Sequence, residues 1–443
     1  MMTADTTKTS GQRNDRHSNG AVAATAISRP IVTTGEIFAD GSLIELISGE
    51  DGNTQLMLCN GAKKAVGTIV EFDGRRYQSA PINASVLREV MLPTRCSPHG
   101  TTRELLTELR ELVAKFVGLD NKSASLIARV VLCSAIIEAV SLAPALVIIG
   151  PDTGRANRLV ALLRCLCRHS VFLTGVTPAG VRSLSSGVRF TFLISQGTLS
   201  EPLQKLLDDA SRQERKIPFR GHFIDLFGVQ VIRSDSGLAS ESWTHRSIEI
   251  SMIPTAQELP ILDQDLQRQI TIEFQSKLLS FRRTSLAAAR RLQFDASKVE
   301  FALKDLACSL AAATPDDQEL QAEVCDLLKE KGIELRSEKW TSSSSVAIEA
   351  VRILGLESPG EKVYVSEIAS IAQEILRRRG SATEINPAVL GKILKDLGFR
   401  TEPRDAKGKK LDLAVALPHA DELARNFGLP DAGGGSIHKE KEA

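Results

Sequence analysis

The residues best placed by type and spacing to do chemistry begin where the apolar run ALVIIG (145–150) gives way to Pro151, Asp152, Thr153, Gly154, Arg155, Ala156 and Asn157 and then to a helical pattern. A glycine-containing turn such as this one, opening at Gly150, can cradle phosphate. Backbone N–H groups converge there and the dipole of the following helix adds positive charge. A second group closes the apolar run RFTFLIS (189–195), where Ser195 is followed by Gln196. Ser234 ends FGVQVIRS, and Arg246 precedes the last short apolar run, SIEI. The fourth group is basic: Arg377, Arg378, Arg379, Lys392, Lys395, Arg400, Arg404, Lys407, Lys409 and Lys410 stand against Glu384, Asp396, Glu402 and Asp405. That local surplus of six positive charges suits phosphate backbones.

Other chemistries find little support. His99, His169, His222, His245 and His419 fall in separate elements without paired-ligand spacing, and no G-x-S-x-G elbow occurs. Seven cysteines are scattered through apolar stretches; Cys165 and Cys167 form a C-x-C that reads as two positions of a buried helix rather than a metal site. Asp208-Asp209 and Asp316-Asp317 read as helix-associated acids. With 55 Lys+Arg against 54 Asp+Glu there is no global charge to attract nucleic acid or membrane, and aromatics at 4% argue against an extended stacking platform for single strands. The apolar stretch 126–150 carries Arg129, Glu138 and Pro144 and reads as a helix and a strand, not a membrane span. Lacking a signal-peptide pattern, the chain is expected in the cytoplasm.

Several kinds of element must hold these groups. From Ile31 to about Pro93, short strands alternate with Asp40-Gly41, Asp51-Gly52, Asn60-Gly61 and Asp73-Gly74, pairs that favour positive φ and tight hairpins, so a small antiparallel β module is expected. A helix from Thr101 with Leu105, Leu106, Leu109, Leu112, Val113, Phe116 and Val117 on one face, and a second over about 122–140, lead into apolar runs at 145–150, 170–175, 189–195 and 227–234 separated by helical patterns. That alternation predicts a parallel sheet covered on both faces. Helices over about 263–292 and 298–331 follow. The last part reads helix (346–356), short strand (363–365), helix capped by Ser366, a helix from Pro387 burying Val389, Leu390, Ile393, Leu394 and Leu397, and a hairpin with Lys407-Gly408 near its tip. This is the order of a winged helix.

Over roughly residues 100–430 the chain resembles the P-loop ATPases, in particular AAA+-type helicase and primase-associated ATPases of phages, plasmids and bacterial genomes, and within them bacterial members. The resemblance implies an α/β fold with an AAA+-like core between the β module and a C-terminal winged helix. The divisions expected are an arm (1–28), the β module (29–98), the core (99–255), a lid-like helical region (256–340), the winged helix (341–430) and a tail (431–443).

It also implies G-x-x-x-x-G-K-[ST] at the phosphate loop and two acids at the end of a strand. Aligned from Gly150 without a gap, Arg155 replaces the second Gly, Ala156 the Lys and Asn157 the hydroxyl; with a one-residue gap Gly154 is kept, but Arg155 replaces the Lys and Ala156 the hydroxyl. Ser195 and Gln196 stand where the acids belong, Ser234 at the position of a polar sensor, and Arg246 at that of an arginine acting across subunits. The expectation is therefore a DNA-associated protein with a degenerate core that has lost hydrolysis, holding at most ATP without efficient turnover and no metal. DNA contacts are expected from Lys392, Lys395, Arg400, Arg404, Lys407, Lys409 and Lys410, with homo-oligomers or a protein partner through the core. The alternatives are an active helicase- or primase-associated motor and a protein-interaction scaffold.

Overall fold

The computed structural model describes residues 29–429 apart from 50–52, 62, 185–186, 236–237, 239–240, 403–407 and 428. The expected arm and tail and the Asp51-Gly52 turn lie outside the described residues. The chain divides into two units, 1–81 and 82–443.

The first unit holds β1 (Ile31–Thr33), β2 (Gly35–Ile37), β3 (Leu43–Ser48), β4 (Thr54–Asn60), β5 (Lys63–Gly67), β6 (Ile69–Phe72) and β7 (Arg75–Ser79). They form an antiparallel four-stranded sheet in the order β2-β3-β4-β5 and a three-stranded sheet in the order β1-β7-β6, in which β1 runs parallel to β7. The Asp73-Gly74 turn has positive φ at both residues, 50° and 69°, as a two-residue hairpin of matching twist requires. Tyr77 and Phe72 pack around Phe38.

The second unit begins with α1 (Ala84–Glu89), a helix that strand-and-turn punctuation gave no reason to expect, then α2 (Thr102–Val117) and α3 (Asn121–Ala135). Thr101 and Glu104 make a capping box that starts α2, and Gly118 in the left-handed region ends it. The chain then alternates: β8 (Ala145–Ile149), α4 (Thr153–Leu166), β9 (Ser170–Thr174), α5 (Pro178–Ser183), β10 (Thr191–Ser195), α6 (Glu201–Asp209), a hairpin of β11 (Ile217–Phe219) and β12 (His222–Ile224), β13 (Gln230–Arg233), α7 (Glu241–Arg246) and β14 (Ser247–Ser251).

Five of these strands form one wholly parallel sheet in the order β14-β8-β13-β10-β9. Burial follows that order. The central strands are apolar on both faces, with Leu146, Ile148, Val231 and Ile232 inaccessible, whereas the edge strands β9 and β14 each expose some residues. Complete burial of each such side chain contributes about 1.5–3 kcal/mol. Gly228 is needed where the chain enters β13, because a Cβ there would stand 2.0 Å from the Phe190 carbonyl oxygen.

Behind the sheet lie α8 (Gln264–Arg291), α9 (Lys304–Ala312) and α10 (Gln318–Thr341). The single stretch expected over 298–331 is broken at 313–317. Pro315 cannot continue the hydrogen-bond ladder, and the Asp317 carboxylate restarts it by accepting the Leu320 N–H at 3.0 Å. Arg129, inaccessible on α3, ties α10 back through the Leu320 carbonyl and Glu323.

The chain ends with α11 (Ser343–Glu357), β15 (Lys362–Tyr364), α12 (Val365–Arg378), α13 (Pro387–Asp396), β16 (Lys410–Asp412) and α14 (Leu413–Phe427). β15 pairs with β16, and Thr401 bridges Leu411, so a cluster of four helices carries a small ribbon, with α11, α12 and α13 in winged-helix order. Two local expectations are corrected. Tyr364, not Ser366, is the N-cap of α12, because the helix begins directly where β15 ends. Val389 is 44% exposed, since the buried stripe of α13 runs through Leu390 and Leu394.

Candidate functional site

Gly150 and Asp152 shape the turn after β8. Gly150 sits at φ +115°, where a Cβ would be 2.5 Å from the Met252 carbonyl oxygen. Asp152 then caps α4, its carboxylate accepting the Arg155 N–H at 2.9 Å. The neighbouring amides are also committed: Asp152 N–H donates to the Met252 carbonyl, Thr153 N–H to Pro151, and Ala156 N–H to the Asp152 carbonyl. A carboxylate therefore occupies the helix N-terminus where a bound phosphate would take its hydrogen bonds.

Arg155 faces elsewhere. Its Nε donates to the Val117 carbonyl and Nη2 to Gly118, both at 2.9 Å, while Nη1 donates to Ile253. With Arg158 on the Phe116 carbonyl, it closes the C-terminal end of α2. Ala156 is buried and brings no hydroxyl; Thr153, Gly154 and Asn157 are exposed. The sequence reading left Arg155 available to an anion, and the fold engages it with carbonyls.

At the end of β10, Ser195 stands in register with Thr174 and Arg233. The Gln196 amide closes the adjoining turn, its oxygen accepting from Val176 N–H at 2.9 Å and its nitrogen donating to the Thr198 carbonyl at 3.0 Å. Ser234, 3% exposed, donates its hydroxyl to the Gly197 carbonyl at 2.9 Å. Ser234 follows β13, between the strands that carry the phosphate-loop position and Ser195, so the topology does gather these three groups at one end of the sheet.

Arg246 is not gathered there as a surface group. It is 3% exposed, stacks 3.6 Å above the Trp243 ring, pairs with Asp208 at 3.1 Å and shares the Gln230 side-chain oxygen. Burial pulls its pKa down to about 10 against the pull of Asp208. In this geometry the guanidinium ties α6, α7 and β13 together. The partner of Asp208, unseen in the sequence, is thus a buried arginine 38 residues away.

The cysteines behave as core thiols: Cys133 and Cys167 are inaccessible and burial pushes both up to about 12. Among the described residues no group of three or more His, Cys, Asp or Glu side chains is arranged to hold a metal ion.

The basic segment sorts into two sets. Arg377 and Arg378 both pair with Glu374, Arg379 pairs with Glu349, and Lys410 lies 4.7 Å from the Tyr364 ring centre. Lys392, Lys395, Arg400 and Lys409 are exposed and make no ion pair among the described residues. Lys392 and Lys395 are three positions apart and share the solvent face of α13. Arg404 and Lys407 lie outside the described residues.

A further exposed group was missed by sequence reading. The hairpin β11–β12 turns at Arg220 and Gly221, φ +48° and +81°, and presents Arg220, His222 and Phe223, the last 74% exposed. Its Arg-Gly tip lacks the Asn or Asp that marks such turns, and its strands are only three residues long.

Counting from β8, the sheet order is 5-1-4-3-2, with the glycine turn after the first strand. The core is an α/β unit built on this parallel sheet. No protein-family model matches the chain, and no curated protein matches it in sequence. Among solved structures, the apo A form of the NrS-1 C-terminal region is 12% identical, with TM-score 0.36 over 83% of this chain and 95% of that chain. A full-length MCM homolog from Methanopyrus kandleri is 11% identical, with TM-score 0.35 over 65% and 76%. The Drosophila ORC bound to DNA is 11% identical, with TM-score 0.19 over 80% and 96%. Among the described residues no helix is long and apolar enough to cross a membrane.

Proposed function

We propose that this chain is a DNA-associated protein in which the winged helix makes the contact and the AAA+-like core acts as a platform without hydrolysing ATP. The observation that carries the reading is the exposed set Lys392, Lys395, Arg400 and Lys409, cations without an ion pair among the described residues, beside a helix face and a ribbon that could follow a duplex backbone. The filled α4 N-terminus and the engaged Arg155 support the second half, because they commit the Asp152, Thr153, Arg155 and Ala156 amides and the Arg155 guanidinium to protein acceptors. Gln196 and Ser234, committed to turn carbonyls and amides, supply no base for an attacking water.

The test is a fluorescence-anisotropy titration of a labelled duplex with the full chain across a salt series, with and without ATP and Mg²⁺. Binding is expected to weaken with salt and to ignore nucleotide. Lys392→Ala with Lys395→Ala is expected to flatten the log–log salt slope by about 2. An unchanged slope in the double variant would remove α13 from the interface, and phosphate release would restore the motor.

A further inference from the structure

The winged helix packs as a body of its own. Val346, Ile348, Val351, Ile368, Leu376, Leu390, Leu394 and Leu411 belong to one buried cluster drawn from residues 346–429. Its connection to the preceding helices is short. α10 ends at Thr341, α11 starts at Ser343, and the one non-helical residue between them, Ser342, has extended torsions (φ −66°, ψ 140°). A one-residue joint between two helices lets the second swing about a few bonds unless something crosses the joint.

Arg379 crosses it. One terminal nitrogen of its guanidinium donates to the Trp340 carbonyl, the other pairs with Glu349 on α11, and its central carbon lies 5.3 Å from the Trp340 ring centre. The Trp340 carbonyl belongs to the last turn of α10, where carbonyls have no partner within the helix and the dipole is negative. A guanidinium is the suitable group to sit there, since its fork can serve a carbonyl and a carboxylate together while its plane rests on an aromatic ring. Glu349 holds that fork from the winged-helix side, so the contact ties α10, α11 and the end of α12. Arg379 is 18% exposed although it ends a basic run whose other two members are 77% and 57% exposed.

We infer that the Arg379–Trp340–Glu349 contact is a latch that fixes the orientation of the winged helix on α10. Arg379 is thus a positioning residue: it does not add to the basic surface but sets the direction in which Lys392, Lys395 and Arg400 face. The inference stands on the helix joint and does not depend on DNA being the ligand.

The experiment measures hydrogen exchange and small-angle scattering of the full chain without nucleic acid, for wild type, Arg379→Ala, Arg379→Lys and Trp340→Ala. Arg379→Ala is expected to speed exchange of the amides flanking the joint by about tenfold, as for loss of a charged hydrogen bond, and to broaden the scattering-derived distance distribution. Exchange within α12 and α13 is expected to stay protected, and Arg379→Lys to fall between the two. Trp340→Ala removes the ring beside the guanidinium, at a half-exposed position, but keeps the backbone carbonyl, and is expected to give the same signature at smaller amplitude if Arg379→Ala fails to fold. Unchanged exchange at the joint and unchanged scattering in a folded variant of either residue would overturn the latch.

Discussion

Single residues decide what the parallel-sheet core can do. Asp152 and Arg155 lie in a stretch that reads as a phosphate loop, yet the carboxylate fills the helix N-terminus and the guanidinium serves three carbonyls. Arg246 gives the sharpest contrast between a surface role and a buried one. Removing one partner of a buried charge pair typically costs 3–5 kcal/mol. Arg246→Ala is therefore expected to lower unfolding stability by about 3 kcal/mol in denaturant titrations, whereas an arginine acting across subunits would leave stability unchanged.

Glu104 supplies the pH-dependent case. The Thr101 backbone N–H and hydroxyl hold its carboxylate below the ordinary value of 4.5. A lowered folded pKa adds stability above the unfolded value, and that stability is lost as pH falls through the folded value. Glu104→Ala is expected to melt at a lower temperature than wild type at pH 7, with the gap closing below pH 4.5 in thermal scans followed by circular dichroism.

Elements place chemistry where residue types alone gave no signal. The β11–β12 hairpin interrupts the path from α6 to β13 and ends in Arg220 and Phe223, with Arg220 5.1 Å from the Phe219 ring centre. Arg220→Ala with Phe223→Ser is expected to leave the melting temperature unchanged, because both side chains are exposed, and to leave duplex affinity unchanged in anisotropy titrations, because the proposed contact lies on the winged helix. Equal affinity in the variant would make the hairpin tip a solvent-facing turn. Element identity was largely legible from pattern, since strands such as ALVII carry unbroken apolar runs and α2 carries both caps in its sequence. Element ends were less so: Pro315 splits one expected helix, and β15 runs straight into α12 without a side-chain cap.

At the scale of the molecule, the self-contained core of 346–429 predicts that a fragment spanning 342–430 folds alone. Its unfolding in urea is expected to be a single cooperative transition, with native-like helical circular dichroism; a fragment lacking it would make the winged helix dependent on α10. The sequence by itself determined the alternation of buried strands and helices, the hairpin turns of the first unit and the missing Lys and acids, because these are properties of residue type and local period. Only the tertiary structure decided which charges are available. Whether Arg155, Arg246 and Arg379 face an anion or satisfy the protein depends on carbonyls, a ring and carboxylates brought from other elements, such as Val117, Trp243, Asp208 and Glu349. Periodicity places a side chain on a face of its own helix, and packing alone supplies what that face meets.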